Sequence, residues 1–350
     1  MSKANFIARE FSNFTCRLEY AGQLTSINNP EGHIMNDENR LVEEESDQDV
    51  SVAAAQTTNW PAIATLNNQL YLVYKDQKST RIQYQTYNGS IWSRPAPINT
   101  YDSTNQALAL AAFGTKLYSA HKSSGSDTQV YYDSTSGSSW GSDQAVSNCR
   151  SDNPVALASF KTKLYLAFKQ ASSTNIAITN FDGTTWASSP TTILTGAAKT
   201  AQAVALATFG TKLFLAHKGA SDSLVFYTSS SDGVNWAQEN IVRPDVVSTT
   251  VPVAMAAFKG NLYLAYKGAP DANTNIYYTW TSDGVNWRFP VELLYGVAQT
   301  NAPVSLAVFN NNLYLAHQNA SDSSIYYTST SDGVTWQADL AVPYASMKEE

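Results

Sequence analysis

One pattern recurs six times between about residue 50 and residue 343, and it limits the fold more than any single residue does. Its clearest copy runs Ala203-Val204-Ala205-Leu206-Ala207, Phe209, then Leu213-Phe214-Leu215-Ala216-His217-Lys218, then Val225-Phe226-Tyr227-Thr228, and closes on Ser231-Asp232-Gly233-Val234-Asn235-Trp236. The closing tryptophans, Trp92, Trp140, Trp186, Trp236, Trp287 and Trp336, stand 48, 46, 50, 51 and 49 residues apart. A fixed period of this size means an array of supersecondary units, none able to bury its apolar faces alone.

Each copy holds four short segments of strand character. The first is small and apolar (Pro154-Val155-Ala156-Leu157-Ala158), and the second is Leu262-Tyr263-Leu264-Ala265-Tyr266 or its equivalent. The third reads Ile276-Tyr277-Tyr278-Thr279, and the fourth follows the tryptophan, as in Val291-Glu292-Leu293-Leu294. Turn signals such as Lys259-Gly260-Asn261 and Ser282-Asp283-Gly284 separate them. Four antiparallel strands per roughly 49 residues is the arithmetic of a propeller blade. The expected fold is therefore all-β, a six-bladed β-propeller of four-stranded antiparallel blades over residues 51–350. Small residues in the first strand suit the crowded axis, and aromatics in the third suit the wide rim. A β-solenoid is the alternative, but its repeats are usually shorter.

Residues 1–50 carry neither the Leu-Tyr-Leu-Ala strand nor a closing tryptophan, so they supply no seventh blade. They hold ten acids against four bases, while the other 300 residues hold 19 acids and 18 bases. The acidic run Glu43-Glu44-Glu45-Ser46-Asp47-Gln48-Asp49 reads as a solvated linker. Phe11, Phe14, Leu18 and Tyr20 ahead of it suit an arm docking on the ring, or a contact between protomers of a homo-oligomer. The near-neutral repeat body has no basic stripe for phosphate backbones, which argues against nucleic acid as a partner. No apolar run reaches the roughly 18 residues that span a bilayer, so no membrane span is expected. The first ten residues lack the apolar core of a secretory signal. The expected location is cytoplasmic as synthesised, with release by a non-classical route as the alternative. Cys16 and Cys149 are too few for a disulfide framework and read as two free thiols, with a single bridge as the alternative. Asn13, Asn88 and Asn319 open glycosylation sequons of the kind that Ser/Thr-rich sequence produces by chance.

The Ser-Asp-Gly-x-x-Trp segments at Ser231–Trp236, Ser282–Trp287 and Ser331–Trp336 resemble the Asp box of sialidase-like propellers, and the repeat resembles that of multivalent propeller lectins. Phe181-Asp182-Gly183-Thr184-Thr185-Trp186 is a looser copy. The family pattern Ser-x-Asp-x-Gly-x-Thr-Trp sets its Asp one residue further from the Trp than here. The resemblance implies that this element is structural and lies between third and fourth strands, away from any site. Turn chemistry agrees: Asp closes on nearby amides and Gly supplies positive φ. Asp232, Gly233, Asp283, Gly284, Asp332 and Gly333 are accordingly assigned to the scaffold, together with the six tryptophans.

If those turns occupy one face, the second-to-third loops and the links between blades occupy the other. Ahead of the first strand of each copy stand Asn59, Gln106, Asn153, Gln202, Val251 and Asn301. The second strand ends in Tyr74, His121, Phe168, His217, Tyr266 and His317. Lys75, Lys122, Lys169, Lys218 and Lys267 follow in five copies and Gln318 in the sixth, and the loops add Asp127, Asp222, Asp271 and Asp322. Amide, ring, ammonium and carboxylate so gathered form a candidate site for sugar hydroxyls and the apolar face of a sugar ring. The competing reading has rings packing between blades and amides tying down the chain.

A sialidase, as the resemblance implies it, needs three arginines converging on a carboxylate, an acidic donor and a Tyr-Glu pair. Outside the leading segment the arginines are Arg81, Arg94, Arg150, Arg243 and Arg288, and none opens an apolar first strand. The candidate acids repeat by blade rather than forming one pair across a cleft. The histidines fall in different blades, so no metal is expected, and no cofactor motif is present. The function expected is therefore that of a non-enzymatic, multivalent carbohydrate-binding protein recognising cell-surface or extracellular glycans through repeated sites on one face. A protein-interaction scaffold using the same face and a diverged sialidase-like glycosidase are the alternatives.

Overall fold

Six four-stranded antiparallel sheets make up the computed structural model, which describes residues 53–99 and 102–344. The expected N-terminal arm or linker, its aromatic residues and Cys16 lie outside the described residues. The blades span 62–97, 109–150, 156–192, 204–241, 254–292 and 305–341, with strands in sequential order within each. In blade four the strands are Val204–Phe209, Lys212–Lys218, Val225–Ser230 and Asn240–Ile241. The first strand of every blade adjoins the first strands of the blades before and after it, and blade one adjoins blade six, so the ring is closed. This is the six-bladed propeller that the period implies.

Small first-strand residues converge on the axis, where Ala62, Ala109, Ala156, Ala205 and Ala254 help line a narrow opening of about 120 Å³. Two-residue turns join first to second strands. Asn67-Asn68 and Lys259-Gly260 take positive φ at both positions (48° and 57°, 46° and 76°), the backbone that matches the twist of a tight hairpin. Second strands are buried on both faces because each is flanked by a neighbouring blade.

The ring closes by the rule that joins its other blades. The segment ahead of a blade bridges back to the start of the previous third strand, as in Leu224 with Ser248 and Asn275 with Gln299. Gln56 bridges to Ser324 of blade six in the same manner, while Ala54 bridges to Pro343. The Ala55 amide donates to the Val342 carbonyl at 2.8 Å and its carbonyl accepts from the Ile325 amide at 2.7 Å.

Tryptophans lock blade to blade. Trp92 meets Tyr327 edge-on at 5.3 Å between centroids, Trp186 meets Tyr132 at 5.4 Å, Trp287 meets Tyr227 at 5.6 Å, and Trp336 meets Tyr278 at 5.5 Å. Each partner lies in the third strand of the preceding blade. Such pairs add about 0.5–1.5 kcal/mol apiece beyond the area they bury.

Candidate functional site

The expected sugar-binding face is built differently from the expectation, and the differences follow from burial. Tyr74, His121, Phe168, His217, Tyr266 and His317 are all buried, at 2% exposure or less, and so cannot reach a ligand. They pack on third-strand rings: His217 stacks on Phe226 at 5.7 Å and Tyr266 on Tyr277 at 5.8 Å. The tyrosine phenols are held above their usual range by desolvation first and neighbouring phenols or carboxylates second.

The lysines fold back onto the scaffold. Lys75 Nζ donates to Thr58 Oγ1 and to the Asp76 carbonyl, each at 2.8 Å. Lys122 Nζ caps the Ser123 and Gly125 carbonyls, and Lys218 Nζ caps that of Gly219. Lys169 pairs with Asp152 at 2.6 Å, and Lys267 reaches Thr250 Oγ1 and the Gly268 carbonyl. Each ammonium is fixed by loop carbonyls, hydroxyls or a carboxylate where the second strand ends.

Amides stitch successive blades. Asn59 Nδ2 donates to the Asn105 carbonyl, Gln106 Nε2 to that of Asp152 and Gln202 Nε2 to that of Thr250, at 3.2, 2.9 and 2.9 Å. Asn153 Nδ2 turns instead to Asp152 Oδ1 at 3.1 Å. Asn301 is displaced by one position, because the buried anchor of each link is Thr57, Thr104, Ser151, Thr200, Thr249 or Thr300 and the amide belongs two residues beyond it. It is exposed, and its Nδ2 donates to the Ala320 carbonyl at 2.9 Å. Asp127, Asp222, Asp271 and Asp322 are exposed on loops. Asp127, Asp222 and Asp322 close Asx-type turns on the amides of Gln129, Leu224 and Ser324.

The buried histidines have partners that the pattern of strand ends does not reveal. His217 Nε2 lies 2.5 Å from Glu239 Oε1, His317 Nε2 lies 3.0 Å from Asp339 Oδ2, and His121 Nε2 lies 3.2 Å from Asp143 Oδ2. Each acid stands three residues after the closing tryptophan, where the histidine-free blades carry Pro95, Ser189 and Pro290. Blades therefore alternate, odd ones closing on an aromatic ring and even ones on an imidazole–carboxylate pair. The covariation is legible in the six copies once the Trp+3 column is aligned.

Hairpins between third and fourth strands carry the turn chemistry expected of them. Asp232 Oδ1 accepts the amides of Val234 and Asn235 at 2.8 and 2.7 Å, and Asp283 and Asp332 repeat the arrangement. These donors hold all three carboxyls below the usual carboxylate range. A hydroxyl two residues earlier, which the Ser-Asp-Gly reading passes over, completes each turn. Ser230 Oγ, Thr281 Oγ1 and Thr330 Oγ1 accept the glycine amide at 2.8, 3.0 and 2.9 Å and donate to the Asp.

A wide concavity lies elsewhere, between the outer edge of blade four and the hairpin of blade five. It encloses about 840 Å³ and is lined by Arg243, Asp245, Asp283, Asn286, Trp287 and Phe289, among others. Arg243 occupies the column held by Leu194 and Leu294 in blades three and five, with the same left-handed backbone. Its guanidinium carbon sits 3.8 Å from the centroid of the Phe289 ring, and its Nη2 pairs with Asp245 at 3.1 Å. Phe289 is 62% exposed, and the other five copies have Arg94, Ser142, Ser188, Gln238 and Ala338 there. A smaller groove of about 380 Å³ separates blades two and three, with Tyr118, Tyr132, Gln144 and Thr184 in its wall. Cys149 is buried, and burial pushes its thiol up to about 12, which makes it inert at neutral pH.

Fold and grooves together define a six-bladed propeller with unequal inter-blade clefts. Residues 182–346 match the family model of the DUF6242 β-propeller domain. The fungal lectin of Aleuria aurantia, described as a six-bladed β-propeller with a fucose recognition mode, is similar in fold at 15% identity and a TM-score of 0.60, covering 84% of this chain and 98% of that one. AofleA from Arthrobotrys oligospora aligns at 10% identity and a TM-score of 0.62, covering 85% and 90%. A Hadza microbial sialidase aligns at 12% identity and a TM-score of 0.58, covering 75% of this chain and 64% of its own. Among curated proteins, none matches the sequence.

Proposed function

We propose that this propeller binds carbohydrate without transforming it, and that the groove between blades four and five is its principal site. The observation that carries the proposal is the Arg243–Phe289 pair, an exposed ring and a guanidinium set together in this wide cleft and in no other copy of the repeat. An exposed ring covers the C–H face of a sugar, while guanidinium, amide and carboxylate groups take its hydroxyls. Asn286 and Asp245 supply the amide and the carboxylate. The groove between blades two and three offers a second, smaller site of similar character, so binding is multivalent but unequal, and joint engagement on a glycan-bearing surface raises avidity. The likeness in fold to a lectin described by fucose recognition makes fucosides the first ligands to test.

The test is binding of the purified chain to immobilised glycans, competed by free monosaccharide, beside an assay on chromogenic glycosides. Saturable, competable binding without cleavage supports the reading. Cleavage above the blank replaces it with a glycosidase. Specific protein capture with no glycan response replaces it with an interaction scaffold.

A further inference from the structure

Blade two departs from the other five blades at three buried positions that meet in space. Across its second and third strands Ser119 faces Asp133. The same pair is Leu72 with Gln85 in blade one, and Leu166, Leu215, Leu264 and Leu315 with Thr179, Thr228, Thr279 and Thr328 in the rest. Two residues ahead of the buried link anchor, Asp102 replaces what is otherwise Ala55, Cys149, Ala198, Val247 or Ala298, all buried. Asp143, the partner of His121, completes the group. Carboxylate oxygens of Asp102, Asp133 and Asp143 lie within 4.8 Å of one another, with the first two residues at 6% and 4% exposure.

The polar groups here have few partners outside the cluster. The carboxylate of Asp133 has no partner beyond the Ser119 hydroxyl and the Asp102 carboxyl beside it. The Ser119 hydroxyl, fully buried and across the strand, has none beyond Asp133. His121, 1% exposed, has neither ring nitrogen in a hydrogen bond, although its Nε2 lies 3.2 Å from Asp143. Asp102 alone is tied down, its amide donating to Asn99 Oδ1 at 2.8 Å and its carboxylate accepting from Asn99 Nδ2. Desolvation, then mutual repulsion, pushes the Asp133 carboxyl up to about 8 and that of Asp102 to about 6. Three acids in this setting must share either protons or a cation.

We propose that Asp102, Asp133 and Asp143, with the Ser119 hydroxyl, form a site for a hard divalent cation, Ca²⁺ in preference to Mg²⁺. Oxygen-only donors exclude a thiophilic ion, and Ca²⁺ accepts an irregular, flexible set of carboxylate and hydroxyl oxygens, whereas Mg²⁺ demands near-ideal octahedral geometry. Asp143, 20% exposed in its side chain, gives the ion its path to solvent. The ion would fasten the link between blades one and two to the body of blade two, a structural role, although Asp133 also lines the smaller groove between blades two and three.

The full chain is stripped with chelator, and Ca²⁺, Mg²⁺ and Mn²⁺ are titrated separately by calorimetry, with bound metal counted by mass spectrometry. The expected result is one Ca²⁺ per chain and a rise of about 3–8 °C in Tm at a hundredfold excess over Kd. Asp133→Thr, which installs the residue of four other blades, is expected to stay folded and to lose that binding. Asp102→Ala, matching the links ahead of blades one, four and six that carry Ala55, Ala198 and Ala298, serves if the first variant does not fold. Absence of any calorimetric or Tm response to Ca²⁺ in the parent chain overturns the proposal, as does undiminished binding in both variants. A response to Mg²⁺ or Mn²⁺ alone overturns the choice of ion.

Discussion

Gly284 of blade five lies against the Phe214 ring of blade four so closely that a Cβ on it would come 2.6 Å from the ring's Cζ. Gly233 meets Tyr165 and Gly333 meets Tyr263 in the same way, so each Asp-Gly hairpin seats on the second-strand aromatic one blade back. The glycine is thus required twice, for its φ of +77° and for the space it leaves.

Gly284→Ala should therefore cost more than a strained turn alone. Left-handed backbone for a residue with a Cβ contributes about 1–2 kcal/mol, and overpacking against a buried ring about 1–3 kcal/mol more. Urea denaturation should show a loss of about 2–5 kcal/mol. The same change at Gly196, also at positive φ (+86°) but with no heavy atom within 4 Å of a built Cβ, should show only the backbone part.

The imidazole–carboxylate pairs predict a strong non-additivity. His317 is fully buried, and Asp339 is its partner at 3.0 Å. Asp339→Ser leaves a buried imidazole nitrogen unsatisfied and should cost about 1–3 kcal/mol. His317→Phe combined with Asp339→Ser recreates the Phe168/Ser189 arrangement of blade three and should recover most of that loss. A double-mutant cycle in urea measures it, and additive losses would refute the alternation as an energetic unit.

How much of this was legible in the chain depends on whether a residue's role is local. Blade number, strand order and the Asp-Gly turns depend on period and short-range chemistry, and they could be read directly. The fate of His217 or Lys75 could not, because a polar residue at a strand end looks the same whether it faces solvent or a buried partner 22 or 17 residues away in sequence. The Arg243–Phe289 cleft was hidden for another reason. Repeat alignment draws attention to what recurs, and this pair is a departure from the repeat at two columns 46 residues apart. The acids of blade two are a departure of the same kind, split over three columns.

That acidic group predicts an unusual pH dependence when divalent cations are chelated. The folded Asp133 carboxyl titrates at about 8 and that of Asp102 at about 6, both above the roughly 4 of an unfolded aspartate. The folded state thus holds protons that the unfolded chain has released, so their contribution is full below about pH 4 and is lost as pH rises through about 6 and then 8. The facing groups are Asp143, His121, Ser119 and Asn99. Tm in chelator should fall between pH 5 and 8 by more in the parent than in Asp133→Thr. Saturating Ca²⁺, by holding the carboxylates ionised, should flatten the slope.

The groove between blades four and five offers the sharpest separation of scaffold from function. Arg243→Leu restores the residue found at Leu194 and Leu294, whose side chains pack in the inter-blade core, so the fold should tolerate it. Phe289→Ala removes a ring that is mostly in solvent and should likewise leave Tm within a degree or two. If the pair holds a sugar, each change should weaken glycan binding about 10–100-fold, since a stacked ring and a charged hydrogen-bond donor are each worth about 1–3 kcal/mol when a ligand covers them. Substituting Asp222 or Asp322, exposed on the opposite loops, should change affinity by less than about twofold. The reverse ranking would move the site to the face that the repeat advertises.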